Sequence, residues 1–221
     1  MNILKRILAF FYPPRCILCG RAVRVNEDFL CADCASKPAV CVCRFFALHV
    51  RRQDYTLECR APMRYREPFR TTLWRFKFRD ETSLAEPLAK RMALVLDTGR
   101  TYDCIVPVPV SRERLRERGY NQSALLAKAL SEQTGVAYRE LLEKTRHNRT
   151  QHRLSAKERA ENVRGAYRAE AANGLRVLLV DDIVTTGATA RECAKTLYRA
   201  GAADVGCICC AIVEEGQVST Q

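Results

Sequence analysis

The sequence predicts an α/β domain with a mainly parallel central sheet and flanking helices, plus a small N-terminal zinc ribbon. Three observations carry this. The apolar runs at 104–110, 175–180 and 205–213 lack polar alternation, which suits strands covered on both faces. Helical patterns separate them, the alternation expected of βαβ units. Seven of the twelve cysteines crowd into the first 60 residues, in a region with little other periodicity.

The elements follow in chain order. Ile3, Leu4, Ile7, Leu8 and Phe11 fall on one face of a short helix that Pro13 and Pro14 stop. Lys5 and Arg6 interrupt this run and no small-residue cleavage site follows. It reads as a helix docked on the body, with a peripheral contact at the inner membrane surface as the alternative. No stretch approaches the ~18 apolar residues of a spanning helix, so no stable membrane insertion and a cytoplasmic location are expected.

Cys16-Ile-Leu-Cys19 and Cys31-Ala-Asp-Cys34 are two C-x-x-C knuckles separated by eleven residues. Each presents two thiolates to one ion, and four thiolates make a closed tetrahedral site suited to structural Zn²⁺. Cys41, Cys43 and Cys59, with His49, could form a degenerate second site. The remaining cysteines lie in apolar segments and read as small core residues. A chain this long needs no disulfide framework, and metal ligation in a reducing compartment accounts for the pattern.

Residues 1–60 are taken as the zinc-ribbon module and 61–221 as the main domain. Within the latter, helices are expected at about 67–76, 83–96, 121–133 and 189–200. Gly135 and Gly201 close the last two. Strands are expected at 104–110, 136–142, 175–180 and 205–213. Residues 144–168 are polar, without strong period, and the tail after Glu214 is expected to fray.

Composition narrows the ligand class. Lys plus Arg total 37 against 25 Asp plus Glu, a net charge of +12, and 48% of residues are apolar. The chain has a real core and a basic surface that favours polyanions or phosphorylated ligands.

The chemistry concentrates in Val177-Leu-Leu-Val-Asp-Asp-Ile-Val-Thr-Thr-Gly-Ala-Thr-Ala190. In an open parallel sheet, ligands bind beyond the carboxyl ends of strands. Asp181 and Asp182 sit at such an end and can accept hydrogen bonds from vicinal hydroxyls. The backbone amides of Thr185, Thr186, Gly187, Ala188 and Thr189 follow where a helix begins, a natural phosphate nest. No Gly-Lys-Thr follows, so this is not a Walker A loop. The residues describe a phosphorylated sugar site.

This stretch closely resembles the PRPP-binding motif of type I phosphoribosyltransferases. Together with residues 103–130, residues 144–167 and the C-x-x-C pairs, it resembles the ComF family, which joins a zinc ribbon to a phosphoribosyltransferase-like domain and is associated with DNA uptake in natural competence. The resemblance implies that Asp181 and Asp182 contact the ribose hydroxyls and that 185–189 hold the 5-phosphate. It implies that Pro109, Val110, Ser111 and Arg112 face pyrophosphate, with Mg²⁺ held mainly by PRPP oxygens. Residues 144–165 match the segment that closes over the site in active transferases. Two departures stand out. The segment 41–59 is degenerate where the family often has a fuller ribbon. Lys77-Phe78-Arg79-Asp80 lacks the family's glycine.

Two basic segments flank this site. Residues 112–118 hold four arginines against two glutamates, and 139–168 hold nine Lys/Arg against four Glu. They read either as solvated helix faces or as a groove for single-stranded DNA, with Tyr120, Tyr138 and Tyr167 as stacking candidates. Three functions are expected, in an order that the family resemblance implies. The first is a PRPP-binding competence protein handling imported single-stranded DNA, with a helicase and a membrane channel as partners implied by the family. The second is a salvage-type phosphoribosyltransferase. The third is a PRPP-sensing regulator without chemistry. The residues identify no acceptor pocket.

Overall fold

The computed structural model describes residues 14–23, 29–145 and 163–214. The amino-terminal helix read over 3–11, most of the closing segment at 144–165, and the tail after 214 lie outside the described residues.

The apolar strands form the centre of the sheet. β8 (Arg176–Val184) lies between β4 (Cys104–Pro107) and β9 (Asp204–Ile212), parallel to both. Val177, Leu178, Leu179 and Val180 are each at most 2% exposed, so β8 is covered on both faces as its continuous apolar run predicts. Each such buried leucine contributes about 1.5–3 kcal/mol of transfer free energy. A short strand β5 (Ala137–Tyr138) extends the parallel edge beside β4.

Alternation sends successive β8 side chains to opposite faces. Val177 and Leu179 join a core that includes Cys193, Ala194 and Leu197 of one carboxyl-terminal helix, residues 188–199. Leu178 and Val180 join the opposite core, beneath the helices Phe69–Phe78, Ala85–Ala93 and Gln122–Thr134. Numbering helices along the chain, α1 is Ala32–Ala35, α2 Phe69–Phe78, α3 Ala85–Ala93, α4 Arg112–Arg118, α5 Gln122–Thr134 and α6 Ala188–Arg199. Local signals set their ends. Ser111 caps α4 by accepting from the Arg114 amide at 3.3 Å, and Asn121 caps α5 by accepting from the Ser123 amide at 3.0 Å. Gly135 takes the left-handed conformation that ends α5.

The expected boundary at residue 60 needs correction. β1 (Val42–Val50) and β2 (Gln53–Ala61) form an antiparallel hairpin. β2 then pairs in parallel with β9 through Cys59↔Cys207 and Arg60↔Ile208. Residue 60 thus lies inside a strand of the main sheet, whose order among the described residues is β1-β2-β9-β8-β4-β5. A two-residue strand β3 (Met63–Arg64) also joins β9. The reason is a period of two hidden among the cysteines. Phe46, Leu48 and Val50 of β1, with Leu57, Cys59 and Ala61 of β2, bury one face in the core shared with α6. The cluster of Cys16, Cys19, Cys31 and Cys34 lies outside this sheet.

The single strand expected at 136–142 is two elements. β5 ends at Tyr138, and β6 (Leu142–Lys144) turns away to pair antiparallel with β7 (Tyr167–Ala169). This small sheet carries Lys144 towards the end of β8.

Candidate functional site

β8 continues through both acids to Val184, so Asp181 and Asp182 lie within the strand rather than after it. They take different partners. Asp181 Oδ1 accepts from Ser123 Oγ at 3.1 Å, at the start of α5, and from the Asp182 amide at 2.8 Å. Asp182 Oδ2 meets Lys77 Nζ at 2.8 Å, from the last turn of α2. Burial, and then the neighbouring charge of Asp182, push the Asp181 carboxyl up from the usual carboxylate range to about 7. The amide of Asp182, Lys77 and the Ser123 hydroxyl oppose that rise but do not cancel it.

The turn after β8 is held from the hairpin. Arg44 Nη1 donates to the Thr185 carbonyl at 2.5 Å and to the Val213 carbonyl at 3.4 Å. Gly187 has φ 75° and begins α6 with no side-chain cap. The first-turn amides of a helix have no intrahelical partner, so this terminus offers donors and a favourable dipole to an anion. Thr186 Oγ1 accepts from the Ala188 amide at 3.4 Å, which braces the turn. The residues present fit a sugar phosphate: carboxylates for hydroxyls, then amides and threonine hydroxyls for phosphate. Hard carboxylate oxygens beside these also suit Mg²⁺.

Not every expected site residue points here. Ser111 serves as the cap of α4. The Arg112 side chain is 77% exposed, and its Nη2 reaches Glu143 Oε1 at 3.1 Å. The cations within electrostatic reach of the acids come from elsewhere. Arg118 feels Asp182, and Lys144 feels Asp181. Burial and the charge of Arg114 lower both the Arg118 and the Lys144 pKa. Ser123 and Arg44 were not legible as site residues, because Ser123 reaches Asp181 and Arg44 reaches the turn across long stretches of chain. Lys77 had a signal in the sequence: it opens the Lys-Phe-Arg-Asp stretch.

The four knuckle cysteines converge. Cys16, Cys19, Cys31 and Cys34 sulfurs all lie within 4.8 Å of one another, and Cys19 and Cys31 are 3.6 Å apart. A tetrahedron with Zn–S bonds of about 2.3 Å has edges of about 3.8 Å, so the set fits one zinc ion. Gly20 closes the first knuckle at φ 72°, and the Cys16 amide donates to the Arg21 carbonyl at 2.8 Å. Burial works against a Cys16 thiolate, but backbone donors from Cys31, Cys19 and Leu18 outweigh it and bring Cys16 down to about 7. The cluster sits on the main domain, with Ile17 in the core that includes Phe69 and Leu73 of α2.

The second set does not assemble. Cys41 and Cys43 sulfurs are 3.3 Å apart on the exposed start of the hairpin. Cys59 is buried in the strand beside Cys207, and His49 pairs with Asp54 at the other end of β1. The knuckle set is the metal-competent group found among the described residues.

The stacking candidates also differ from expectation. Tyr120 donates to the Phe76 carbonyl at 2.7 Å, and Tyr167 is buried. Tyr138 donates to Glu140 at 2.5 Å.

A parallel sheet with an acidic pair near the carboxyl end of a central strand, cations beside that pair, and a glycine turn entering a helix defines a phosphoribosyltransferase-like domain. Residues 120–219 match the family model described as the phosphoribosyl transferase domain. Competence protein F of Haemophilus influenzae is 30% identical over 218 residues, covering 88% of this chain and 95% of that protein. DNA utilization protein YhgH of Escherichia coli K12 is 34% identical over 204 residues, covering 88% and 89%. Competence protein ComFC of Streptococcus pneumoniae is 30% identical over 221 residues, covering 86% and 96%. The chain belongs to the ComF family, in which a four-cysteine cluster precedes a phosphoribosyltransferase-like domain.

Proposed function

We propose that this protein binds PRPP with Mg²⁺ at the β8–α6 turn and handles imported single-stranded DNA in the cytoplasm during natural competence. The observation that carries the ligand is the acidic pair of β8 leading into the uncapped, glycine-led start of α6. Asp181 and Asp182 take the ribose hydroxyls, and residues 185–189 take the 5-phosphate. Ser111 and Arg112 face pyrophosphate once the exposed Arg112 leaves Glu143. Mg²⁺ would neutralise pyrophosphate charge when bound. The names of the relatives, two competence proteins and a DNA utilization protein, support the cellular role. The cysteine cluster acts as a structural zinc knuckle. No helix among the described residues is long and apolar enough to cross a membrane.

Calorimetric titration of PRPP with Mg²⁺ tests the ligand. Asp181→Asn/Asp182→Asn is expected to abolish the binding isotherm; unchanged affinity would refute the assignment. A deletion strain tests the role: it should take DNA to its surface yet lose transformation, and normal transformation would refute it.

One observation favours a second reading, transfer of the phosphoribosyl group to a nucleobase or other acceptor. Asp181 titrates near neutrality, the range in which a carboxylate accepts a proton efficiently. Pyrophosphate release from PRPP across a panel of acceptors tests it, and no release with any acceptor would count against it.

A further inference from the structure

α2 buries Phe69, Thr72, Leu73 and Phe76 and turns two large rings outward. Trp74 is 47% exposed and Phe78 is 54% exposed. They stand four residues apart, so they share one stripe of the helix, with ring centroids 6.0 Å apart and planes tilted by 44°. Leaving two aromatic rings in water forgoes the burial that such side chains normally contribute.

Each ring carries its own arginine. The Arg79 guanidinium lies 5.1 Å from the Trp74 centroid, and that of Arg118 lies 5.0 Å from the Phe78 centroid. Arg118 arrives from α4, a separate element. Neither arginine is in a salt bridge among the described residues, though Arg118 feels the charge of Asp182. The patch is also continuous with the acidic pair. Arg118 donates to Gln122 Oε1 at 3.3 Å, Gln122 donates to the Lys77 carbonyl at 3.3 Å, and Lys77 holds Asp182. Rings and guanidinium groups are thus linked through Gln122 and Lys77 to the buried Asp182.

We propose that Trp74 and Phe78 are a stacking platform for the bases of single-stranded nucleic acid, with Arg79 and Arg118 meeting the phosphates between those bases. Aromatic faces interleaved with cations are what an unpaired strand requires, since its bases expose π-faces and its backbone carries one charge per nucleotide. A duplex hides those faces. An open helix face encloses no small molecule, and the arginines disfavour a purely apolar partner. The net charge of +12 adds long-range attraction. The platform rests on the DNA-handling reading and places the strand along the rim of the PRPP site.

Trp74 is the chain's one tryptophan, so its fluorescence reports the patch directly. Zinc-loaded full-length protein is titrated with oligothymidylate, and affinity is measured in parallel by anisotropy of a labelled strand. The strand should quench Trp74. Phe78→Ala should weaken binding by about 5- to 150-fold, the range for loss of one base stack, and Trp74→Phe should largely preserve it. Trp74→Ala/Phe78→Ala should lose more while keeping PRPP affinity and zinc content, which shows that the variant is folded. Unchanged strand affinity in that double variant, with native affinity in the wild type, would overturn the platform and leave the DNA-handling reading standing. A double variant that loses self-association in sedimentation but not strand affinity would make the patch a contact between copies, again overturning it. If the wild type binds no strand even at low salt, the DNA-handling reading fails and the platform fails with it.

Discussion

The Phe46 ring occupies the space that a side chain on Gly187 would need. Its Cζ lies 2.2 Å from where a Cβ at Gly187 would stand, and Gly187 has φ 75°. A residue in the first hairpin therefore sets the floor of the β8–α6 turn 141 positions later. The neighbouring Arg44 reinforces this by holding the Thr185 carbonyl.

Gly187→Ala should accordingly be costly twice over. The left-handed backbone disfavours it by about 1–2 kcal/mol, and Phe46, itself buried, has little room to withdraw. Urea denaturation should show a loss of about 2–4 kcal/mol, and PRPP affinity should fall at least tenfold. Adding Phe46→Leu should recover part of the stability loss, a coupling that a double-mutant cycle measures.

Lys77 and Asp182 form an ion pair with side chains 27% and 12% exposed. Removing one partner leaves a largely buried charge, so Lys77→Met should destabilise by about 1–3 kcal/mol. Lys77→Met/Asp182→Leu should restore most of this, while PRPP binding stays lost. Equal stability of wild type and Lys77→Met would show that the pair contributes nothing.

The raised pKa of Asp181, about 7, makes a pH prediction with a definite sign. The folded state holds this proton more tightly than the unfolded chain, where the carboxyl titrates near 3.8. Stability is fullest below the unfolded value and declines as pH rises from about 4 to about 7. Asp181→Asn should therefore match the wild type near pH 4 and exceed it by about 1–3 kcal/mol at pH 8, while binding PRPP far more weakly. Thermal unfolding across that range checks it. Parallel curves would mean that Ser123, Lys77 and Lys144 already compensate the charge.

The cysteine cluster should bind one zinc ion per chain and no second. Cys16→Ser or a strong chelator should remove it and lower the melting temperature of the whole domain, because Ile17 is part of the α2 core. Cys41→Ser/Cys43→Ser should leave zinc content unchanged. Elemental analysis with scanning calorimetry distinguishes these cases.

Much was legible in the sequence because it is local. The strand Val177–Val180, the glycine-led turn and the α6 pattern are encoded within one short run, and the knuckles within another. Their chemistry follows from residue type and spacing. The hairpin was not legible because its period of two is carried partly by cysteines, which also suggest metal ligation. Reading Cys59 as a candidate ligand hid its role as a buried strand residue beside Cys207.

The parallel α/β core, the acidic pair, the glycine-led turn and the paired cysteine knuckles are each written into neighbours within a few residues. Packing across the sheet sets the rest: Lys77 holds Asp182, Ser123 meets Asp181, Phe46 closes beneath Gly187, and Arg112 turns to Glu143 while Arg118 covers Phe78. Those pairings depend on how strands register and helices pack across the sheet, and no local spacing encodes them.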